Sequence, residues 1–117
     1  MKRAERSKFY LYCRQQGLWP KLVVGLDPIA ESKAFDPFCP ARNVTKDYPP
    51  TLLIHGDVDT DVPYEQSVIM AKEFERHGVK HRLVTVPGAG HGLAGGDAKL
   101  VTDAYAAVLP FVREHTA

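Results

Sequence analysis

The sequence is organised around the stretch Tyr48 to Leu93, in which two short apolar runs are each followed by a loop. The first run predicts a strand over residues 52–55, and the polar loop after it contains Asp59. The second predicts a strand over residues 82–86, and the glycine-rich loop after it contains His91. Because the carboxyl ends of adjacent parallel strands share one edge of an open α/β sheet, we expect Asp59 and His91 to lie together at that edge.

Two helices are predicted to flank these strands. Pro63 suits the first turn of a helix over residues 64–77, because a missing N–H costs nothing there. Asp97 is the predicted N-cap of a final helix over residues 97–114, which Pro110 should kink. Six apolar residues of this helix can face the sheet: Leu100, Val101, Tyr105, Val108, Leu109 and Val112. Strand, helix and strand with short loops indicate a right-handed βαβ unit and therefore an α/β fold.

The first 47 residues lack a clean helical or strand period, so we predict one or two short helices joined by loops. Ser7 is a candidate N-cap for a helix that ends before Gly17. We expect residues 1–47 to be a cap-like, helical lead-in that covers the sheet, and residues 48–117 to be the core that carries the acid and the histidine. Together they are predicted to form one structural unit.

Charge and hydropathy exclude several classes of partner. The 15 Lys and Arg residues are mixed with 14 Asp and Glu residues, which argues against a nucleic-acid partner. No segment approaches the ~20 apolar residues that span a bilayer, and no export signal is recognisable, so no membrane partner is expected and the compartment stays unknown. Cys13 and Cys39 match no zinc or redox spacing, and the sequence leaves their pairing open.

The central block resembles the acid-and-histidine end of the α/β-hydrolase superfamily, and it is most similar to the prolyl oligopeptidase-like serine peptidases and esterases. The motif HGDVDTDVP matches the family's acid loop, and PGAGHGL matches its histidine loop. The resemblance implies a partial α/β-hydrolase fold, the C-terminal part of a catalytic domain, with Asp59 as the triad acid and His91 as the general base. It also implies a structural role for His55, a peptide or ester substrate, and no cofactor.

A second interpretation of the same residues remains open. An aspartate in a turn and a histidine in a glycine-rich loop also occur in doubly wound proteins that are not hydrolases. Asp57, Asp59 and Asp61 have the spacing that opens a calcium-binding EF-hand loop. That motif needs glycine at its sixth position and glutamate at its twelfth, where this chain has Val62 and Val68. We therefore predict no metal site.

The nucleophile that such an acid and histidine would serve is missing. The superfamily's Gly-x-Ser-x-Gly motif, or its cysteine variant, needs the flanking glycines for a strained turn that exposes the nucleophile. None of the serines and cysteines has a glycine two residues away: Ser7, Ser32, Ser67, Cys13 and Cys39. The resemblance also implies that the oxyanion donors lie in the first half of the domain, which this chain does not match. We therefore predict that the chain alone is nearly inactive.

Three functions are compatible with this sequence. The chain can be an enzyme half that another polypeptide or domain completes, an inactive remnant that dimerises, or a module that binds a partner. Two parallel strands leave an apolar sheet edge unpaired, and such an edge is prone to pair with another chain. We therefore expect a homo-oligomer or a complementing chain at the exposed sheet edge.

Overall fold

The computed structural model describes residues 3–116, and its first part consists of short helical elements, as the aperiodic sequence predicts. Four elements are present there: α1 at Arg3–Gln15, α2 at Trp19–Val24, and 3-10 turns at Ser32–Phe38 and Pro40–Arg42. The prediction that Ser7 caps the first helix is wrong, because Ser7 lies inside α1. Ala4, Glu5 and Arg6 are all good helix formers, so the helix continues on their side of the serine.

The described residues divide into two compact units, of which the first ends at Arg42 and the second begins at Asn43. Within the first unit, the thiols of Cys13 and Cys39 are not joined in a disulfide. Both strands and both candidate residues belong to the second unit. That residues 1–117 together form one part of a catalytic domain stays a prediction.

The two strands lie where the apolar runs predict them. β1 spans Thr51–Gly56 and β2 spans His81–Val86, each within one residue of the predicted bounds. They pair in parallel, with Ile54 opposite Val84. Pro50 lies directly before β1, where its missing N–H removes no hydrogen bond from the ladder. The described residues contain no third strand in this sheet.

Helices cover both faces of the sheet. Among the described residues, the second unit contains three α-helices: α3 at Glu65–His77, α4 at Ala98–Ala106 and α5 at Val108–His115. Leu53 of β1 packs beside the buried Phe74 of α3, whereas Ile54 packs beside the buried Ala104 of α4. Consecutive strand residues point to opposite faces, and both faces are covered, which explains why the strand sequence is continuously apolar. The architecture is thus a partial α/β fold with a parallel β1–α3–β2 unit.

The final helix predicted over residues 97–114 is present as two helices, α4 and α5, which meet at Ala107. Pro110 explains the interruption, because proline has no N–H to donate to the carbonyl of Ala106 and its ring crowds that carbonyl. The predicted N-cap is confirmed, since the Asp97 carboxylate accepts hydrogen bonds from two backbone N–H groups of the first turn.

The predicted burial of this helical segment is only partly correct. Val101 packs against the core, and the small side chain of Ala104 is 2 % exposed. Four residues that were predicted to face the sheet are exposed instead: Leu100, Tyr105, Leu109 and Val112. The apolar residues of the segment cover more of the helix surface than one stripe, and the sheet contacts only part of that surface. No helix among the described residues has the length and hydrophobicity needed to cross a membrane.

Candidate active site

The loops that follow the two strands are tied together by backbone contacts. Gly56 ends β1, and a Cβ atom at that position would collide with the carbonyl of Ala89 in the loop after β2. The same carbonyl accepts a hydrogen bond from the N–H of Val58 at 3.1 Å. The Asp57 carboxylate accepts another from the N–H of Gly88 at 2.7 Å. These contacts fix one loop against the other at the carboxyl edge of the sheet.

Asp59 accepts hydrogen bonds from its own loop and from a histidine of the other loop. Its Oδ1 accepts hydrogen bonds from the N–H groups of Asp61 and Val62, at 2.8 Å and 2.9 Å. This Asx-type turn folds the backbone around the carboxylate. Its Oδ2 lies 3.1 Å from Nδ1 of His91. The structure thus brings together the two residues that the sequence pattern singles out.

Opposing influences set the pKa of Asp59. Burial is the largest of them and raises the pKa, but the N–H groups of Val62 and Asp61 and the neighbouring His91 lower it more strongly in sum. Together they hold the pKa of Asp59 at about 2, below its ordinary value of 3.8. The carboxylate is therefore ionised across the neutral range, and both of its oxygens act as hydrogen-bond acceptors.

His91 stands in a tight turn of the glycine-rich loop. The 3-10 turn His91–Leu93 contains Gly92 at a φ of 63°, a conformation that glycine adopts without strain. Leu93 has the same positive φ of 63°, which is strained for a residue with a side chain. Its packing against the core around Val86 holds it there. The turn presents the imidazole of His91 at the surface, with 60 % of the side chain exposed, while the side chain of Asp59 is 5 % exposed.

The hydrogen bond between these two residues determines which ring nitrogen of His91 is basic. An ionised carboxylate accepts only, so Nδ1 of His91 must be the donor to Asp59. In the neutral imidazole, Nε2 is then the acceptor, and it has no hydrogen-bond partner among residues 3–116. An imidazole that is oriented by an acid and exposes its basic nitrogen can accept a proton from a nucleophile.

His55 is a second imidazole beside the same carboxylate. Its Nδ1 lies 2.7 Å from Oγ of Ser67, and its Nε2 lies 3.0 Å from the carbonyl oxygen of Val62. Nε2 also lies 3.3 Å from Oδ2 of Asp59. His55, for which the family resemblance implied a structural role, thus contacts the candidate acid.

No hydroxyl among the described residues is bonded to His91. Ser67 is the only serine of the second unit, and its hydroxyl is bonded to His55 instead. It lies in the first turn of α3 and its residue is half-buried. Ser7 and Ser32 belong to the first unit.

The roles of Asp57 and Ser67 were not predicted from the sequence. Asp57 follows the glycine that ends β1, and a short acceptor at that place commonly binds backbone N–H groups of a neighbouring loop. The position of Asp57 directly after this glycine is the feature of the sequence from which its role could have been predicted. Ser67 gave no signal, because its partner His55 lies twelve residues away and no motif joins them. Among the described residues, no group of three His, Cys, Asp or Glu side chains is arranged to hold a metal ion.

The chain is similar to known proteins in sequence and in fold. A model of the prolyl oligopeptidase family matches residues 16–117. A solved structure described as a truncated form of carbohydrate esterase from gut microbiota is similar, with 34 % sequence identity and a TM-score of 0.57. The similarity covers 70 % of this chain and 28 % of the esterase chain. The match thus spans little more than a quarter of the length of that esterase.

Proposed function

Because the chain belongs to the prolyl oligopeptidase family, we propose that it is the acid-and-histidine part of a serine hydrolase catalytic domain. In this proposal Asp59 is the triad acid and His91 is the general base. The nucleophile and the oxyanion donors come from another domain or another chain. The substrate is a peptide or an ester, and the carbohydrate esterase similarity favours an ester. The chain by itself is nearly inactive.

The observation that carries the proposal is the pairing of Asp59 Oδ2 with His91 Nδ1 at 3.1 Å, which leaves Nε2 of His91 open to solvent. A structural histidine in a glycine-rich loop needs no buried carboxylate on one nitrogen and no exposure of the other. A general base needs both, because the acid fixes the tautomer and the free nitrogen must reach the reacting hydroxyl.

The chemistry follows from that orientation. As a serine oxygen from the completing part attacks the carbonyl carbon of the substrate, Nε2 of His91 accepts the hydroxyl proton. His91 then donates this proton to the leaving amine or alcohol, and an acyl-serine remains. In the second half, Nε2 takes a proton from water, the hydroxide oxygen attacks the acyl carbon, and His91 returns the proton to the serine. Asp59 stays ionised throughout and stabilises the imidazolium that forms twice.

The open edge of the sheet supports the proposal of a completing partner. Among the described residues β1 pairs with β2 alone, so its other edge has backbone N–H and C=O groups without a strand. An open edge of a parallel sheet binds a further strand readily. A strand added there would bring its own carboxyl end to the same edge of the sheet as Asp59 and His91.

A chimera tests the proposal. The matched segment of the truncated carbohydrate esterase is replaced by this chain, and hydrolysis of an activated ester is measured after thermal melting has verified folding. We expect His91→Ala to lower kcat by roughly 10³-fold or more and Asp59→Asn by roughly 10²-fold to 10⁴-fold. His77→Ala is the matched control, because His77 ends α3 at the far end from the acid loop, and it should leave kcat unchanged. A folded, active chimera that tolerates His91→Ala would refute the proposal.

The alternative function is a non-catalytic one, in which a second copy of this chain covers the open edge of β1. The unpaired edge of β1 favours it, because an exposed strand edge can pair with a strand of a second copy. Self-association without turnover in any folded chimera would support this alternative over the catalytic proposal.

A further inference from the structure

We infer that His55 is a positioning residue for the acid loop, and that Ser67 holds it in the tautomer opposite to that of His91, so that its Nε2–H donates to the carbonyl of Val62 and lies beside the oxygen of Asp59 that His91 binds. The arrangement of these side chains does not depend on the proposed function. Only its purpose, which is to orient the general base, rests on that function. It is drawn from three contacts of the His55 ring, each with a group of known hydrogen-bonding capacity.

The tautomer of His55 follows from its partners. Nε2 faces the carbonyl of Val62 at 3.0 Å and the carboxylate of Asp59 at 3.3 Å, and both groups only accept. A lone pair on Nε2 would be repelled by both, so the neutral ring carries its proton there. Nδ1 is then the acceptor, and the partner that can donate to it is the hydroxyl of Ser67 at 2.7 Å.

His91 has the opposite arrangement. Its Nδ1, rather than its Nε2, faces Oδ2 of Asp59 at 3.1 Å, so its proton lies on Nδ1. Two imidazoles in opposite tautomers therefore face one carboxylate oxygen. The other oxygen, Oδ1, accepts the N–H groups of Asp61 and Val62. Donor groups surround both oxygens of Asp59, so the plane of the carboxylate has no free rotation, and the direction in which it holds His91 is fixed.

Ser67 anchors this arrangement to a rigid element. It belongs to α3, whose Phe74 is fully buried in the core, and the ring of Tyr64 stands edge-on to His55 with centroids 5.7 Å apart. A donor on α3 thus selects the protonated nitrogen of a histidine on β1. If Ser67 loses its hydroxyl, no described group donates to Nδ1, and the ring can exchange tautomers.

The test uses the full chain and long-range ¹H–¹⁵N spectra of its histidine rings at about pH 8.5, where ordinary imidazole is neutral. His81 provides an internal reference, because its Nδ1 lies 2.9 Å from the carbonyl of Val79 and must be protonated. We expect His55 to be protonated at Nε2, and His91 and His81 at Nδ1. Ser67→Ala should abolish the single tautomer of His55 and shift the ring signals of His91, while those of His81 stay in place.

Two conservative variants separate positioning from mere packing. Ser67→Thr keeps the hydroxyl and should restore the wild-type tautomers of His55 and the wild-type signals of His91. His55→Gln keeps a donor near the position of Nε2, so it should shift the His91 signals less than His55→Leu does. The His81 signals report whether a His55 variant folds. If it does not, comparison of Ser67→Ala with Ser67→Thr still tests whether the Ser67 hydroxyl sets the tautomer of His55.

Two results would overturn the inference: wild-type His55 protonated at Nδ1, or His91 signals that are unchanged in Ser67→Ala. The spectra need no substrate and no partner. Failure here would therefore leave the catalytic proposal standing, and an inactive chimera would leave the tautomer assignment standing.

Discussion

Asp59 receives hydrogen bonds from the backbone of its own loop as well as from His91, and these donors together explain why its pKa falls to about 2 despite its burial. The loop contacts of Oδ1 involve residues two and three positions along the chain, so this half of the carboxylate is bound locally. His91, in contrast, reaches the acid only when both strands are paired.

The lowered pKa makes folding stability depend on pH. The unfolded chain binds a proton at Asp59 as pH falls through about 3.8, whereas the Asp59 carboxylate of the folded chain stays ionised until about pH 2. The contribution of Asp59 to stability is therefore complete above about pH 4 and is lost as pH falls toward 2. We expect the denaturation midpoint to drop over this window, and to drop less in Asp59→Asn. Urea unfolding at a series of pH values measures both, and identical slopes would contradict the assignment.

The sequence predicts the candidate pair of residues but not the polar network around it. Asp59 and His91 each follow an apolar strand, and strand position is a local property that a short window reveals. The contact of His55 with Ser67 depends on how α3 is rotated against β1. That rotation results from side-chain packing around Phe74, which no local pattern encodes.

At the scale of elements, the close approach of two loops depends on the absence of a side chain at the end of β1. Gly56 has the carbonyl of Ala89 where its Cβ would be, and the neighbouring Asp57 binds the same loop through Gly88. The site is thus a junction of two strand ends rather than a property of either loop alone.

Gly56→Ala should separate the two loops. The methyl group cannot share space with a backbone carbonyl, and overpacking of this kind costs about 1–3 kcal/mol of unfolding free energy. Gly90→Ala is the matched control in the loop after β2, because its Cβ would meet only the carbonyl of Ala94 at an ordinary 3.5 Å and its φ is −92°. Chemical denaturation of the two variants checks the difference. Equal stabilities would show that the junction is not close-packed.

The sequence predicts the existence of the helices better than it predicts their exposed faces. Asp97 caps the helix that it precedes, because capping is a contact with residues two and three positions ahead. The exposure of Tyr105 and Leu109 could not be predicted, since more apolar residues are present than the two-stranded sheet can cover. Their exposure depends on how many strands the sheet contains, which is a property of the whole assembly.

At the scale of the whole molecule, each of the two strands has one unpaired edge among the described residues. The N–H of Thr51 donates to the carbonyl of Lys80 next to β2, and successive N–H groups of a strand alternate in direction. The N–H groups of Leu52 and Ile54 therefore point away from β2, toward the unpaired edge. A partner strand would bond to them.

We expect the isolated chain to associate with itself as its concentration rises, and Leu52→Pro to weaken this association. Proline at this position removes an outward N–H but no hydrogen bond to β2. Leu53→Pro is the contrasting variant, because it removes an inward hydrogen bond and should unfold the sheet. Light scattering coupled to size exclusion measures the mass of each. A wild-type chain that stays monomeric at high concentration would contradict self-association through the edge.

The most direct test of the account is the intact mass of the full chain after exposure to a serine-directed fluorophosphonate. An activated serine would displace fluoride and gain the phosphonyl group. We expect no gain in mass, because no described hydroxyl contacts His91 and Ser67 is bonded to His55. A single adduct that disappears in Ser67→Ala, Ser7→Ala or Ser32→Ala would show that the chain carries its own nucleophile, and would contradict the proposal that Asp59 and His91 await one from elsewhere.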